Sequence, residues 1–221
     1  MVRDGWTERL WAEAAGTYAA ILRHPFLAGL TDGRLDPELF THFVIQDAHY
    51  LREFARALIV VGSKAPTHTG VGMFARHAAG VAEVELALHE TLLSELGVEN
   101  IDVMPVAPTT LAYTSYLLAT AHRGTFADGF AAVLPCYWIY AEVGAALINR
   151  GSPDPRYQRW IDTYAGDEYQ TIVAEVLALA DTVGLTLSVT DETRARTHFA
   201  TTARYEWMFW DAAWRREVWP V

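Results

Sequence analysis

The chain has 221 residues, about half of them hydrophobic, including eight Trp, ten Tyr and nine Phe. That length and apolar content suit one large domain with a sizeable core, and the aromatic load excludes a disordered chain. Acids outnumber bases 27 to 17, for a net charge of −10, and the bases are sixteen Arg and the single Lys64, with no basic run; such a chain repels phosphate backbones and anionic bilayers, so neither nucleic acid nor membrane is an expected partner.

The elements read in chain order as helix after helix, broken by Gly, Pro and Asp. Residues 7–22 form the first predicted helix. His24-Pro25-Phe26 reads as a loop leading to a turn at Thr31-Asp32-Gly33. Asp36 before Pro37 is an N-cap followed by Pro at the first helical position, opening a helix to about 61. Further helices are predicted over about 66–96, 108–123, 125–150, 155–164, 167–183 and 190–219. The longest apolar stretch, 130–148, contains Pro135 and Glu142 and lacks a flanking positive cluster, so it reads as a fully buried helix rather than a membrane span. No segment alternates as a strand does. The expectation is an all-α bundle of long helices forming one domain over 1–221.

Cys136 is the only cysteine, which rules out an internal disulfide and a multi-thiolate zinc site. The first nine residues hold Asp4, Glu8 and Arg9 and no apolar run, so no secretory signal is expected and the location reads as cytoplasmic.

On apolar helices the informative residues are the polar ones. Asp47 and Tyr50 are three apart among Phe43, Val44, Ile45 and Leu51; a surface carboxylate beside a half-buried phenol and a buried pair both fit that spacing. Cys136 and Tyr140 share a face in Leu134-Pro135-Cys136-Tyr137-Trp138-Ile139-Tyr140. A lone cysteine is commonly an inert small hydrophobe. Pro135 removes a donor and clashes with the Ala131 carbonyl, so a kink and an unbonded carbonyl near the thiol are expected. Glu206 lies in Tyr205-Glu206-Trp207-Met208-Phe209-Trp210; turned inward, burial raises its pKa and makes it a proton donor at neutral pH. Tyr113, Tyr116 and Tyr164 add phenols, each also a plausible core tyrosine. Together these residues hold the groups needed for thiol addition to a small polar aromatic ring.

The segments His24-Pro25-Phe26, Gln46-Asp47-Ala48-His49-Tyr50-Leu51, Ala112-Tyr113-Thr114-Ser115-Tyr116, Leu134-Pro135-Cys136-Tyr137-Trp138, Trp160-Ile161-Asp162-Thr163-Tyr164 and Tyr205-Glu206-Trp207-Met208-Phe209-Trp210 resemble those of the TenA/thiaminase II family, in the family's order and over nearly the whole chain. The resemblance implies a fold like haem oxygenase without haem, a homotetramer, and no metal or organic cofactor. It implies hydrolysis of a 4-amino-2-methylpyrimidine at its 5-methylene carbon in thiamine salvage, releasing ammonia from an aminomethyl pyrimidine or thiazole from thiamine. Cys136 matches the family's nucleophile and Glu206 its catalytic acid. Asp47 matches the carboxylate that holds the ring's amino side, and Tyr50, Tyr113, Tyr140, Tyr164 and Phe209 match the pocket wall; Tyr116 is a further candidate. Ala48 and His49 vary beside Asp47.

Two other classes compete. A non-enzymatic regulator fits the family's history of naming, but the acidic charge and the lack of a recognition-helix pattern oppose direct DNA contact. A metal oxidase or haem protein on the same scaffold would draw on Glu85 and His89, four apart, with Glu83, Glu90 and Glu142, yet the Glu-x-x-His pattern of di-iron bundles is missing. His24, before a proline, reads as a turn residue rather than a haem ligand.

Overall fold

A computed structural model describes residues 5–98 and 100–221, with the side chains of 84–90 and 102 left out. Among the described residues ten α-helices follow one another and no strand occurs. They are α1 (Trp6–Leu22), α2 (Pro25–Asp32), α3 (Pro37–Ser63), α4 (His68–Gly80), α5 (Leu86–Glu95), α6 (Pro108–Arg123), α7 (Phe126–Leu147), α8 (Pro155–Ala165), α9 (Asp167–Gly184) and α10 (Val189–Trp214).

Side-chain caps start most of these helices. Asp36 accepts from the Glu38 amide and Asp154 from the Arg156 amide, each followed by Pro at the first helical position. Thr125 and Asp128 form a capping box that opens α7. The lone lysine closes α6: Lys64 Nζ donates to the carbonyl oxygens of Ala121, His122 and Gly124 at 2.6–2.8 Å.

Helix α7 is the axis of the molecule. Its residues from Ala127 through Ala141 are all buried, and α3, α6, α8, α9 and α10 pack around it. A helix apolar on every side must be enclosed, and each fully buried large side chain contributes about 1.5–3 kcal/mol. The 130–148 stretch is buried as expected only as far as Gly144, apart from half-buried Glu142; Ala145, Ala146 and Ile148 at its end are exposed, and the helix stops at Leu147.

Several boundaries differ from the sequence reading. Residues 25–32 form α2, because His24 caps it: the imidazole Nδ1 accepts from the Phe26 amide at 3.2 Å. The predicted 66–96 helix divides at Val81–Glu85, which has the wider π-helical turn; such insertions interrupt helices and concentrate at functional sites. Helix α10 stops at Trp214 because Arg216 adopts a left-handed backbone conformation, φ 49°. The tail then turns back, where Glu217 accepts from the Thr109 amide at the start of α6 and Trp219 donates to the Val106 carbonyl.

Candidate active site

A cavity of about 690 Å³ opens beside α7. Cys136 and Tyr140 reach it from α7, Asp47 from α3 and Tyr164 from the end of α8. Leu51, Phe54, Tyr137 and Tyr169 add an apolar and aromatic wall. Asp47 is only 2% exposed, so the spacing with Tyr50 marks a buried pair and not a surface carboxylate. Cys136 is 8% exposed and faces the opening.

Glu206, Tyr113, Tyr50 and Phe209 are also buried but do not line this cavity; Glu206 lies close enough to Asp47 and Tyr140 of its lining for their charges to interact. Glu206 turns inward from α10 at 2% exposure. Tyr113 donates its hydroxyl hydrogen to Glu206 Oε1 at 2.5 Å. Burial pushes the Glu206 carboxyl up to about 8; the Tyr113 hydrogen bond opposes the rise and the Asp47 charge adds to it. At neutral pH this carboxyl is therefore protonated, as an inward orientation predicts. Stacked rings fix Tyr113, with Tyr205 at 5.1 Å and 7°, and Tyr50 lies 4.9 Å away. Phe209 meets Tyr50 at 5.8 Å and Phe43 at 5.7 Å.

The phenols are locked in their neutral form. Burial raises Tyr50, Tyr113 and Tyr140 well above the usual phenol range, helped by Cys136 and Glu206 at all three and by Asp47 at Tyr140. These mutual influences place Cys136, Asp47, Glu206 and the three tyrosines in one cluster. The buried Tyr50 hydroxyl has no partner in hydrogen-bond geometry among the described residues, although Cys136 and Tyr113 are close enough to resist its ionisation.

Contacts among α7, α8 and α9 position Tyr140 and Tyr164, whose rings lie 4.8 Å apart. Gly144 lets α7 approach the end of α8 backbone to backbone: a Cβ there would stand 2.6 Å from the Tyr164 carbonyl carbon. Gln170 donates to the carbonyls of Ala141 and Tyr164. Helix α7 continues past Pro135, and the Tyr169 hydroxyl donates to the carbonyls of Cys136 and Tyr137, both at 3.3 Å.

Tyr116 is elsewhere. Its hydroxyl meets His198 Nδ1 at 2.8 Å in a shallow hollow between α6 and α10. His24 serves as a helix cap, with Asp211 3.6 Å from its other nitrogen. The side chains of Glu85, His89 and Glu90 lie outside the described residues. Among the described residues no cluster of three or more His, Cys, Asp or Glu is arranged to hold a metal ion.

Sequence reasoning missed His77 and Tyr169. His77 is buried on the inner face of α4 with Met73, Phe74 and Ala78, so the search for polar residues on apolar faces applies to it as well as to Asp47. Tyr169 carries no comparable signal, since it is half-buried near the start of α9.

The geometry stands beside a clear relationship. Residues 11–216 match the model of the TENA/THI-4/PQQC family. The chain is 36% identical over 218 residues to a Bacillus subtilis (strain 168) protein named aminopyrimidine aminohydrolase, an alignment covering 97% of this chain and 92% of that protein. A solved TenA homologue from P. horikoshii OT3 superposes with a TM-score of 0.88 at 30% identity, covering 96% of this chain and 99% of that one. A solved domain from Shewanella denitrificans OS217, described as having a heme oxygenase-like fold, superposes with a TM-score of 0.76 over 98% of this chain and 94% of its own; at 14% identity it shows the fold alone, which is the fold expected.

Proposed function

The chain belongs to the TENA/THI-4/PQQC family, and on that premise we propose that it is an aminopyrimidine hydrolase of thiamine salvage working through a cysteine adduct. The substrate is a 4-amino-2-methylpyrimidine bearing a leaving group on its 5-methylene carbon, an aminomethyl pyrimidine first and thiamine second. One observation carries the reading: a thiol and a buried carboxylate line one aromatic-walled cavity, and a buried carboxylic acid protonated at neutral pH lies close enough to the Asp47 and Tyr140 of its lining for their charges to interact.

The flat ring lies between the aromatic walls. Asp47 accepts from the ring's amino group and sets its orientation. Glu206 gives its proton to a ring nitrogen, which makes the ring electrophilic. The Cys136 thiolate adds to the ring carbon next to the substituted one. The electron pair released by this addition expels the leaving group from the methylene. Water adds to that carbon, the thiolate departs, aromaticity returns, and the ring nitrogen hands its proton back to Glu206. Tyr113 holds Glu206 on line, and the unsatisfied Tyr50 hydroxyl is a donor for the bound ring. The same reading makes the protein a single-domain cytoplasmic homotetramer, an assembly that sedimentation measures.

The test is turnover of aminomethyl pyrimidine and thiamine side by side. The wild type is expected to release ammonia and hydroxymethylpyrimidine, and Cys136→Ser to lose nearly all hydrolysis while keeping its helical spectrum. Wild-type rates in the serine variant would refute the covalent step.

A further inference from the structure

Resting on that reading, we propose that Tyr137, His77 and Glu175 form a proton relay that deprotonates the water attacking the exocyclic methylene. All three residues line the cavity that Cys136 faces. Tyr137 follows Cys136 on α7, His77 stands on α4, and Glu175 on α9. His77 Nε2 lies 3.3 Å from Glu175 Oε2, and His77 Nδ1 lies 3.2 Å from the Tyr137 hydroxyl oxygen.

These contacts fix the direction of transfer. An ionised carboxylate only accepts, so Nε2 carries the imidazole hydrogen and donates to Glu175. Nδ1 is then the acceptor and takes its hydrogen bond from the Tyr137 hydroxyl. This is the logic of a carboxylate orienting a histidine that draws a proton from a hydroxyl, with a phenol in the serine's place. Arg76 fixes the far end, its Nη2 lying 2.8 Å from Glu175 Oε1. The chain of groups also runs outward, from nearly closed-off Tyr137 and His77 to a Glu175 side chain that is 43% exposed.

The reaction needs a base that the rest of the site does not supply. Glu206 starts protonated at neutral pH, passes that proton to the ring nitrogen, and must take the same proton back when aromaticity returns, so it is not left to carry water's proton. Asp47 is committed to the ring amino group, Asp162 accepts from Gln158 at 2.7 Å, and Asp167 and Glu168 are exposed at the rim. His77 is buried, and that burial lowers its pKa below the usual imidazole value, against Glu175 and with Arg76, the charged groups facing it from α9 and from its own helix. It is neutral at pH 7 and able to accept a proton.

The step balances. The water oxygen bonds to the methylene carbon, and the electron pair of the exocyclic double bond flows into the ring as it expels the Cys136 thiolate. The water's proton passes to the Tyr137 oxygen while the Tyr137 proton passes to His77 Nδ1. The imidazolium then gives its proton to solvent or to the departed ammonia.

Because the relay acts only after the leaving group has gone, it is tested by timing the two products separately in a single turnover of aminomethyl pyrimidine. In His77→Gln and Tyr137→Phe, one equivalent of ammonia per site is expected at the wild-type rate, while hydroxymethylpyrimidine forms about 10²-fold more slowly. The covalent adduct accumulates and is visible as added mass. Azide, a nucleophile that needs no deprotonation, restores turnover as azidomethylpyrimidine. Product formation at the wild-type rate, or ammonia release slowed as much as product, overturns the relay. If His77→Gln loses its helical spectrum, the exposed Glu175→Gln carries the test with the same split at about tenfold. A wild type that releases no ammonia refutes the hydrolase reading itself, and the relay falls with it; an active wild type with unsplit variants refutes the relay alone.

Discussion

Replacing Glu206 with Gln keeps the shape of the side chain and removes its ability to ionise, which sets stability against activity in a calculable way. The folded protein holds this carboxyl at about 8, against an ordinary value of 4.5, because burial penalises the charge. A carboxyl whose folded-state pKa is raised binds its proton more tightly in the folded chain than in the unfolded one. Its contribution to stability is therefore complete below pH 4.5 and is lost as the pH rises through 8. At about 1.4 kcal/mol per pH unit, the loss reaches roughly 3 kcal/mol by pH 7 and is on the order of 5 kcal/mol by pH 8. Glutamine does not ionise, and its carbonyl oxygen can still accept from Tyr113. The stability of Glu206→Gln relative to wild type should thus climb by about 3 kcal/mol between pH 5 and pH 7.5. Urea unfolding followed by circular dichroism at several pH values reads this directly. A difference that stays flat across that range would refute the burial of a protonated carboxyl. The same variant should lose at least about 10²-fold in turnover, because the proton donor is gone; a change confined to KM would contradict the acid role.

Asp47→Asn should lower kcat/KM by about ten- to a hundredfold through the loss of a charge-assisted hydrogen bond to the ring amino group. Since the Asp47 charge helps to raise Glu206, its removal should also move the alkaline limb of the pH profile below 8; a limb that stays in place would show that the two carboxyls do not communicate. Gly144→Ala puts a methyl group within 3 Å of the Tyr164 and Ala165 backbone, so α7 and the end of α8 must separate. A cost of about 1–3 kcal/mol in thermal unfolding is expected, with a raised KM as Tyr164 shifts. Lys64→Met leaves three carbonyls at the end of α6 without their shared donor and should cost about 2–3 kcal/mol; an unchanged melting temperature would show that water replaces the ammonium fully.

Much of this architecture is legible in the sequence, because helix starts are local. Asp36-Pro37 and Asp154-Pro155 announce their helices through chemistry contained in three residues. Asp47, Cys136 and Glu206 stand out as polar groups on apolar faces, but their inward direction is a property of packing, and single-helix spacing leaves both orientations open. The hollow that holds Tyr116 illustrates the point: Tyr113 and Tyr116 are one turn apart, yet the first meets Glu206 and the second meets His198. The π-helical turn at Val81–Glu85 and the left-handed Arg216 are responses to tertiary fit and have no local signature. His77 could be found by the same apolar-face argument, whereas its partners Tyr137 and Glu175 are 60 and 98 residues away along the chain and only the fold brings them together.

Burial unites the two sides of the proposed chemistry. The proposed reaction requires an acid that keeps its proton at pH 7 and a base that lacks one, the acid buried beside the cavity and the base lining it. Removing water disfavours charge on either group, so it raises a carboxyl and lowers an imidazole. Glu206 and His77 are moved in those opposite directions by the same cause, one to about 8 and the other below the ordinary histidine value. Neutral pH falls between them, and each rests in the protonation state its step requires. Exposing either side to solvent would bring the two values back toward a carboxylate and an imidazole of ordinary strength. Glu206 would then ionise before it could serve as an acid. The enclosure built by α3, α4, α7, α9 and α10 thus does more than shape a pocket for a flat ring: it sets the proton inventory of the reaction.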